Sequence, residues 1–368
     1  MAVRQKTNEP LVRMVKRGAF PGWKAWIIRI IALIAALVIC ALFIRAVTKL
    51  NPIAVYGSMF KGAFGTTRRA WVTTRDIMML LCVSLGLAPA FMMKFWNIGA
   101  EGQILVGGIA TAACMIYLGD KLPTAVLFIV MIAASVAAGA LWGFFPALFK
   151  SRWKTNETLF TLMMNYIAIQ LTSFFVALWE NPYGSNTVGV INPNTKAGWF
   201  PWVFGKEYGL NVILVMILTV LMFFYLKYSK HGYEISVVGD SENTARYAGI
   251  NVKKVVIRTM LLSGALCGLS GFLAVSGASH TISTSTAGGR GFTAIIVAWL
   301  SKFNSFVMIL FSTLIVFLEK GASQIASDFN LNDEASQIMK GIILFFVLGS
   351  EFFINYKLVF RGKHREEV

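Results

Sequence analysis

Between Lys121 and Lys150 the chain reads Leu122-Pro-Thr-Ala-Val-Leu-Phe-Ile-Val-Met-Ile-Ala-Ala-Ser-Val-Ala-Ala-Gly-Ala-Leu-Trp-Gly-Phe-Phe-Pro-Ala-Leu-Phe149, without one charged side chain. A helix of about 20 apolar residues crosses a bilayer core, and a longer one does so with tilt. The run 122–149 is therefore a membrane span. Working outward, comparable runs lie at 25–45, 77–93, 97–118, 158–179, 210–228, 255–277, 304–319 and 338–356. A further run, 291–301, is too short to cross alone. It must be a broken crossing shielded by its neighbours, because irregular backbone is not tolerated against lipid. The expected fold is all-α, a polytopic membrane protein of about ten helices. Its membrane domain, 25–356, lies between basic tails at 1–24 and 357–368.

Composition agrees. Of 368 residues 57% are hydrophobic and 14% charged, against about 25% charged in a soluble domain. A soluble fold could not cover that much apolar surface. The formal charge of +17 invites a nucleic-acid reading. However, the basic residues sit in short loops between apolar runs, where they mark the cytoplasmic side of a polytopic protein. Arg4, Lys6, Arg13, Lys16, Arg17 and Lys24 place the N-terminus inside, and the run from Ala25 to Ile44 is too long for a signal-peptide core. Lys357, Arg361, Lys363 and Arg365 place the C-terminus on the same side, with the loops 150–157 and 228–254. The loops 180–209 and 321–337, the latter with Asp328, Asp333 and Glu334, fall outside. The cluster Arg45, Lys49, Lys61, Arg68, Arg69 and Arg75 runs against this assignment. Cys40, Cys82, Cys114 and Cys267 lie inside apolar runs and read as small hydrophobes. His231, His280 and His364 are too scattered to hold a metal.

With these crossings the two halves are inverted copies, a common transporter plan. Each half carries a Gly-rich interruption: Asn97-Ile-Gly-Ala-Glu-Gly-Gln103 and Thr286-Ala-Gly-Gly-Arg-Gly-Phe292. Paired interruptions point to a translocation path. Gly139-x-x-x-Gly143 and Gly264-x-x-x-Gly268 should let helices pack closely inside the molecule. A charge at mid-bilayer costs about 2.5–3.5 kcal/mol on insertion scales, so an embedded acid needs a reason. Glu101 is the main candidate, either as a hydrogen-bond hub beside the substrate path or as an interfacial acid. Asn97, Gln103 and Asn165 join it as candidate path residues. Asn165, Gln170 and Ser173 share a loose helix face, lining an aqueous path or bonding neighbouring helices. Glu319 and Glu351 lie near span ends, at the interface.

The most informative soluble stretch runs from His231 to Lys254. Asp240 or Ser241 suits an N-cap, Glu242 and Arg246 form an i,i+4 pair, and Gly249 suits the position after the helix. A helix over about 241–248 follows, too short to persist alone, so it gains order by docking on something.

At these residues the chain resembles a known family. Phe95-Trp-Asn-Ile-Gly-Ala-Glu-Gly-Gln103, followed by Leu105 and Gly107-Gly108, resembles a signature of ABC-importer permeases of the nucleoside and simple-sugar type. Asn156-Glu157 with Thr161-Leu-Met-Met-Asn165-Tyr166 is similar to that family's fifth-span motif. The stretch from Gly232 through Gly239, Ala245 and Ala248-Gly249-Ile250 to Ser263-Gly264 and Gly268 is similar to its coupling loop and following helix. Gly291-Phe-Thr-Ala-Ile-Ile-Val-Ala298 resembles its late short span. Trp96 departs conservatively from the pattern, and Lys302-Phe-Asn-Ser305 replaces a Gly-Arg-x-x-Pro turn. The resemblance implies a permease of ten spans in the bacterial inner membrane; the basic tails put both termini in the cytoplasm. It implies a second, similar permease (a heterodimer), an ABC ATPase and an extracytoplasmic substrate-binding lipoprotein as partners. The 241–248 helix, with Asp240, Ser241, Glu242, Ala245, Arg246 and Gly249, would couple to the ATPase, and the substrate would be a nucleoside. The chain contains no G-x-x-x-x-G-K-[ST] loop, so it is not expected to hydrolyse ATP itself. As the resemblance implies, it would be a non-catalytic subunit that leaves hydrolysis to the partner ATPase, and no cofactor is expected. The alternatives are a ribose-like sugar as substrate, or an ion-coupled secondary transporter, which would need embedded acids at broken helices.

Overall fold

A computed structural model describes residues 12–17, 22–48, 51–203, 205–329 and 333–360. The basic residues expected at Arg4, Lys6, Lys49, Arg361, Lys363 and Arg365 lie outside them, as does His364. The described residues are mostly helical, and all ten expected spans fall on helices. Among the described residues, eight helices are long and apolar enough to cross a membrane. Arg290–Leu300 and the apolar part of the last helix, Gly341–Asn355, are shorter.

Contacts divide the chain into two compact units, one of Met1–Gly65 with Phe317–Val368 and the other of Thr66–Val316. In the first, strand β1 (Val12–Lys16) pairs antiparallel with β2 (Tyr356–Phe360), Val12 opposite Phe360 and Lys16 opposite Tyr356. Helix α1 (Gly22–Thr48) packs on α13 (Asp333–Asn355). Glu351, near the end of α13, accepts through its carboxylate from Arg29 Nε at 2.9 Å, and the pair is largely buried. Glu319 is exposed. A helix absent from the sequence reading, α2 (Pro52–Phe64), fills part of the basic stretch. Asn51 caps it and Pro52 takes its first turn, the position where a missing N–H costs nothing.

The second unit holds α3 (Thr67–Met92), α4 (Ala100–Leu118), α5 (Thr124–Trp153), α6 (Glu157–Leu178), α7 (Gly209–Tyr228), α8 (Lys230–Asp240), α9 (Glu242–Tyr247), α10 (Val252–Ala274) and α11 (Arg290–Leu300). Helix α12 (Ser305–Phe329) begins there and continues into the first unit. Helix α3 starts ten residues before the expected boundary at 77, carrying Arg68, Arg69 and Arg75 on its first turns. Its remainder and α10 are enclosed nearly all round. The two small-residue stripes mesh with each other: a Cβ on Gly139 would stand 2.3 Å from the Gly264 carbonyl oxygen, and one on Gly268 2.3 Å from the Ser135 carbonyl. Bare backbone is what lets α5 and α10 approach this closely. Helix α10 ends in a π-helical turn, Val275–Ser279.

Candidate functional site

Helix α4 does not begin at the end of the bundle. After α3 stops at Met92, the segment 93–99 climbs back inside, and Asn97 donates through Nδ2 to Ser263 Oγ on α10 at 3.0 Å. Ser263 lies about 16 Å along α10 from Val252 at 1.5 Å per residue. Helix α4 therefore starts partway across the bundle. Helix α11 runs the opposite way. Before it, Ile282 packs over Gly108 of α4 and Gly289 reaches Glu101, so the chain descends from the α10 terminus into the interior. From there α11 continues to the α3 end, where Trp299 meets Phe91 and stacks on Trp96. At about 16 Å it is half a crossing.

The two Gly-rich interruptions thus meet, helix N-terminus against helix N-terminus. The Glu101 carboxylate joins them: its oxygens accept from the Gly289 N–H at 2.7 Å and the Gly291 N–H at 2.8 Å. Glu101 is only 9% exposed. Its charge sits where unpaired amides and the positive ends of two helix dipoles converge, which offsets the cost of embedding it. Around it, Asn97 and Gln103 form a reciprocal amide pair at 3.3 and 3.4 Å. Asn165 accepts from Gly102 N and donates to the Ile98 carbonyl, both at 2.8 Å. The structure brings Asn97, Glu101, Gln103 and Asn165 together, each hydrogen-bonded within the chain. Gln170 and Ser173 are not with them. They point out from α6, and the residues that share the Asn165 face are Thr161, Ala168, Thr172 and Val176.

Asp76 was missed in the sequence. Placed one residue before the expected span, it is instead inside α3 and 5% exposed. Its Oδ1 accepts from Arg75 Nε and Nη2 at 3.0 and 2.9 Å and faces Arg290 Nη2 at 3.6 Å. The only cue was an Arg-Asp pair directly ahead of an uninterrupted apolar run. Arg290, at the first turn of α11, also donates to the Thr286 carbonyl at 3.3 Å.

At the opposite end, α8 and α9 form a helical hinge. The loop expected over 231–240 is instead helix α8: its Ile235 and Val238 are buried against neighbouring spans, and that packing makes it a helix. Ser241 ends α8 and caps α9, accepting from Thr244 N at 3.3 Å. Glu242 pairs with Arg246 at 3.3 Å. Gly249 closes α9 at φ 76, with its N–H on the Arg246 carbonyl and the Ile250 N–H on the Ala245 carbonyl, a paired closure that needs a left-handed residue. Ala245 is fully buried among Ala90, Phe95, Val252 and Val256. The Asp240 carbonyl accepts from Lys94 Nζ at 3.5 Å. On the outer face Tyr233 and Tyr247 are exposed, the latter at 93%. A cleft of about 530 Å³ beside the hinge is bordered by Lys94, Lys154, Asp240, Glu242, Arg246 and Lys253. His231, at the start of α8, bridges Tyr225 Oη at 2.6 Å and Thr259 Oγ1 at 3.3 Å. Burial lowers its pKa from 6.5.

Comparison with known proteins places these features. Residues 72–348 match the family described as branched-chain amino acid transport system / permease component. The guanosine ABC transporter permease protein of Bacillus subtilis is 30% identical over 88% of this chain and 93% of its own length. The glucose ABC transporter permease protein of Haloferax volcanii is 26% identical over 93% of this chain and 92% of its own. The nucleoside ABC transporter permease protein of Lactococcus lactis is 27% identical over 81% and 84%. The two Gly-rich interruptions, the hinge and the meshed α5–α10 pair all lie within the matched residues. The chain belongs to this family of ABC-transporter permeases, in its nucleoside and simple-sugar type.

Proposed function

We propose that this chain is the permease subunit of an ATP-driven importer of nucleosides in the bacterial inner membrane. Substrate passes between it and a second, homologous permease after delivery by an extracytoplasmic binding lipoprotein. Asn97, Glu101, Gln103 and Asn165 hold the paired helix N-termini that flank the path. Asp240, Ser241, Glu242, Ala245, Arg246 and Gly249 form the element on which a partner ATPase pushes, on the cytoplasmic side with both chain termini. A ribose-like sugar is the alternative cargo of the same machinery.

The observation that carries this reading is the α8–α9 hinge. It is anchored inward through Ala245, Ile235 and Val238, so a force on it reaches α3 and α10, yet it presents Tyr233 and Tyr247 as exposed aromatics. Large exposed aromatics on such an element suit a protein surface. The embedded acids support ATP drive over ion coupling, since Glu101 and Asp76 are engaged by backbone amides and arginines.

Co-expression with genomically adjacent ATPase and permease genes tests the assignment. Uptake of labelled nucleosides should require ATP and survive a protonophore with ATP held constant. Ala245→Pro should abolish uptake while the chain still inserts. Uptake insensitive to ATP depletion, or normal uptake by an inserted Ala245→Pro variant, would overturn the reading.

A further inference from the structure

The segment joining α10 to α11 has a composition the function above does not use. Ser279-His-Thr-Ile-Ser-Thr-Ser-Thr286 carries a hydroxyl at every position except His280 and Ile282. From His280 onward it is irregular backbone, and it enters the bundle: His280 stacks on Trp199 at 3.9 Å, Ile282 lies at the level of Gly108, and Gly289 at the level of Glu101. From Gly108 to Glu101 is about 10 Å along α4, so the hydroxyl run occupies the depth between. Thr284 and Ser285 are nevertheless exposed. Irregular polar backbone at that depth is not tolerated against lipid, only against protein or a water-filled cavity.

The local charges leave the hydroxyls as the recognition chemistry. Glu101 is spent on two backbone amides, and Arg290 faces Asp76. Ser283 donates or accepts with Ser285 at 3.0 Å and receives support from Thr286, whose Oγ1 accepts from the Ser283 N–H at 2.8 Å. This turn holds the Ser285 hydroxyl in place, and Thr284 projects beside it.

We infer that Thr284 and Ser285 line the translocation path and contact an uncharged, polyhydroxylated solute, such as the sugar ring of a nucleoside. The inference rests on the proposed transport function and names the residues that select its cargo. Hydroxyls both donate and accept, so they match vicinal sugar hydroxyls without favouring a phosphate or carboxylate.

The test uses the full transporter with Cys40, Cys82, Cys114 and Cys267 replaced by Ala and a single Thr284→Cys or Ser285→Cys change. A charged, membrane-impermeant methanethiosulfonate reagent should label both positions from water, and a saturating transported nucleoside should slow labelling several-fold. Tyr183→Cys, on an exposed loop, should label without protection. Absence of labelling, or labelling unaffected by any transported solute, overturns the lining. In parallel, Thr284→Val with Ser285→Ala should lower kcat/KM for a ribonucleoside roughly 5- to 10-fold, the loss of one or two hydrogen bonds. The preference over the 2′,3′-dideoxy analogue should shrink alongside. Unchanged uptake and preference overturn the contact. Labelling does not depend on which solute is carried, so a wild-type chain that imports neither nucleoside nor sugar overturns the functional reading instead.

Discussion

Gly291 lies so close to Glu101 that a Cβ built on it would stand 2.5 Å from the Glu101 backbone nitrogen and 2.7 Å from its Oε2. The start of α11 is thereby keyed to the start of α4, with one carboxylate serving both. Glu101→Gln keeps the shape but leaves one of the two amides, Gly289 or Gly291, facing an NH₂ group. It should cost about 1–3 kcal/mol, the price of an unmet buried donor. Gly291→Ala should cost about as much through overpacking against backbone. Thermal unfolding of the detergent-purified transporter measures both, and a Glu101→Gln variant with unchanged melting and uptake would remove the keying role.

Asp76 and Arg290 tie α3 to α11 above the same junction. Asp76→Asn leaves Arg75 and Arg290 without their carboxylate, and stripping one partner from a buried pair costs about 3–5 kcal/mol. A large drop in melting temperature is expected, together with loss of uptake. Adding Arg290→Gln should recover part of the stability, because one uncompensated cation is gone. A double variant no more stable than Asp76→Asn would show that the pair does not act as a unit.

The α5–α10 seam depends on bare backbone. Gly264→Leu must push apart two helices already in contact through the Gly139 carbonyl. Misassembly is expected, seen as low membrane abundance or aggregation in detergent, whereas Gly341→Leu, at a position with nothing within 4 Å, should be tolerated. Equal abundance of both variants would argue against the seam.

His231 should make the hinge end of the molecule sensitive to acid. Burial and Arg258 lower its pKa, Glu234 and a Val255 backbone contact oppose them, and the net shift is downward from 6.5. The unfolded chain then binds the proton more readily than the folded one, so stability rises with pH. The contribution is fully present above about pH 6.5 and is lost as pH falls through the lower folded value. Melting measured from pH 7.5 down to pH 5 should fall more steeply for the wild type than for His231→Gln. Identical profiles would place the acid sensitivity elsewhere.

Much of the architecture was legible because it is local. Apolar runs long enough to cross a bilayer are a property of consecutive residues, and so are the cap, ion pair and glycine that bound α9 between Ser241 and Gly249. The small-residue stripes on α5 and α10 were equally readable, since helical spacing alone puts their glycines on one face.

What the chain could not show along its length is which of its distant polar groups would find each other. Asp76 reads as a flanking charge until Arg290, far away in sequence, is brought beside it. Glu101 reads equally as a hydrogen-bond hub or an interfacial acid until the Gly289 and Gly291 amides at the start of α11 take up its charge. Gln170 and Ser173 seemed to share a face with Asn165, yet only Asn165 meets a neighbour. Helix α8 has little reason to be helical before Ile235 and Val238 are buried. In a membrane every such group must be satisfied inside the protein. The sequence therefore determined that partners had to exist, and tertiary packing alone decided that the two Gly-rich interruptions would be partners for one another.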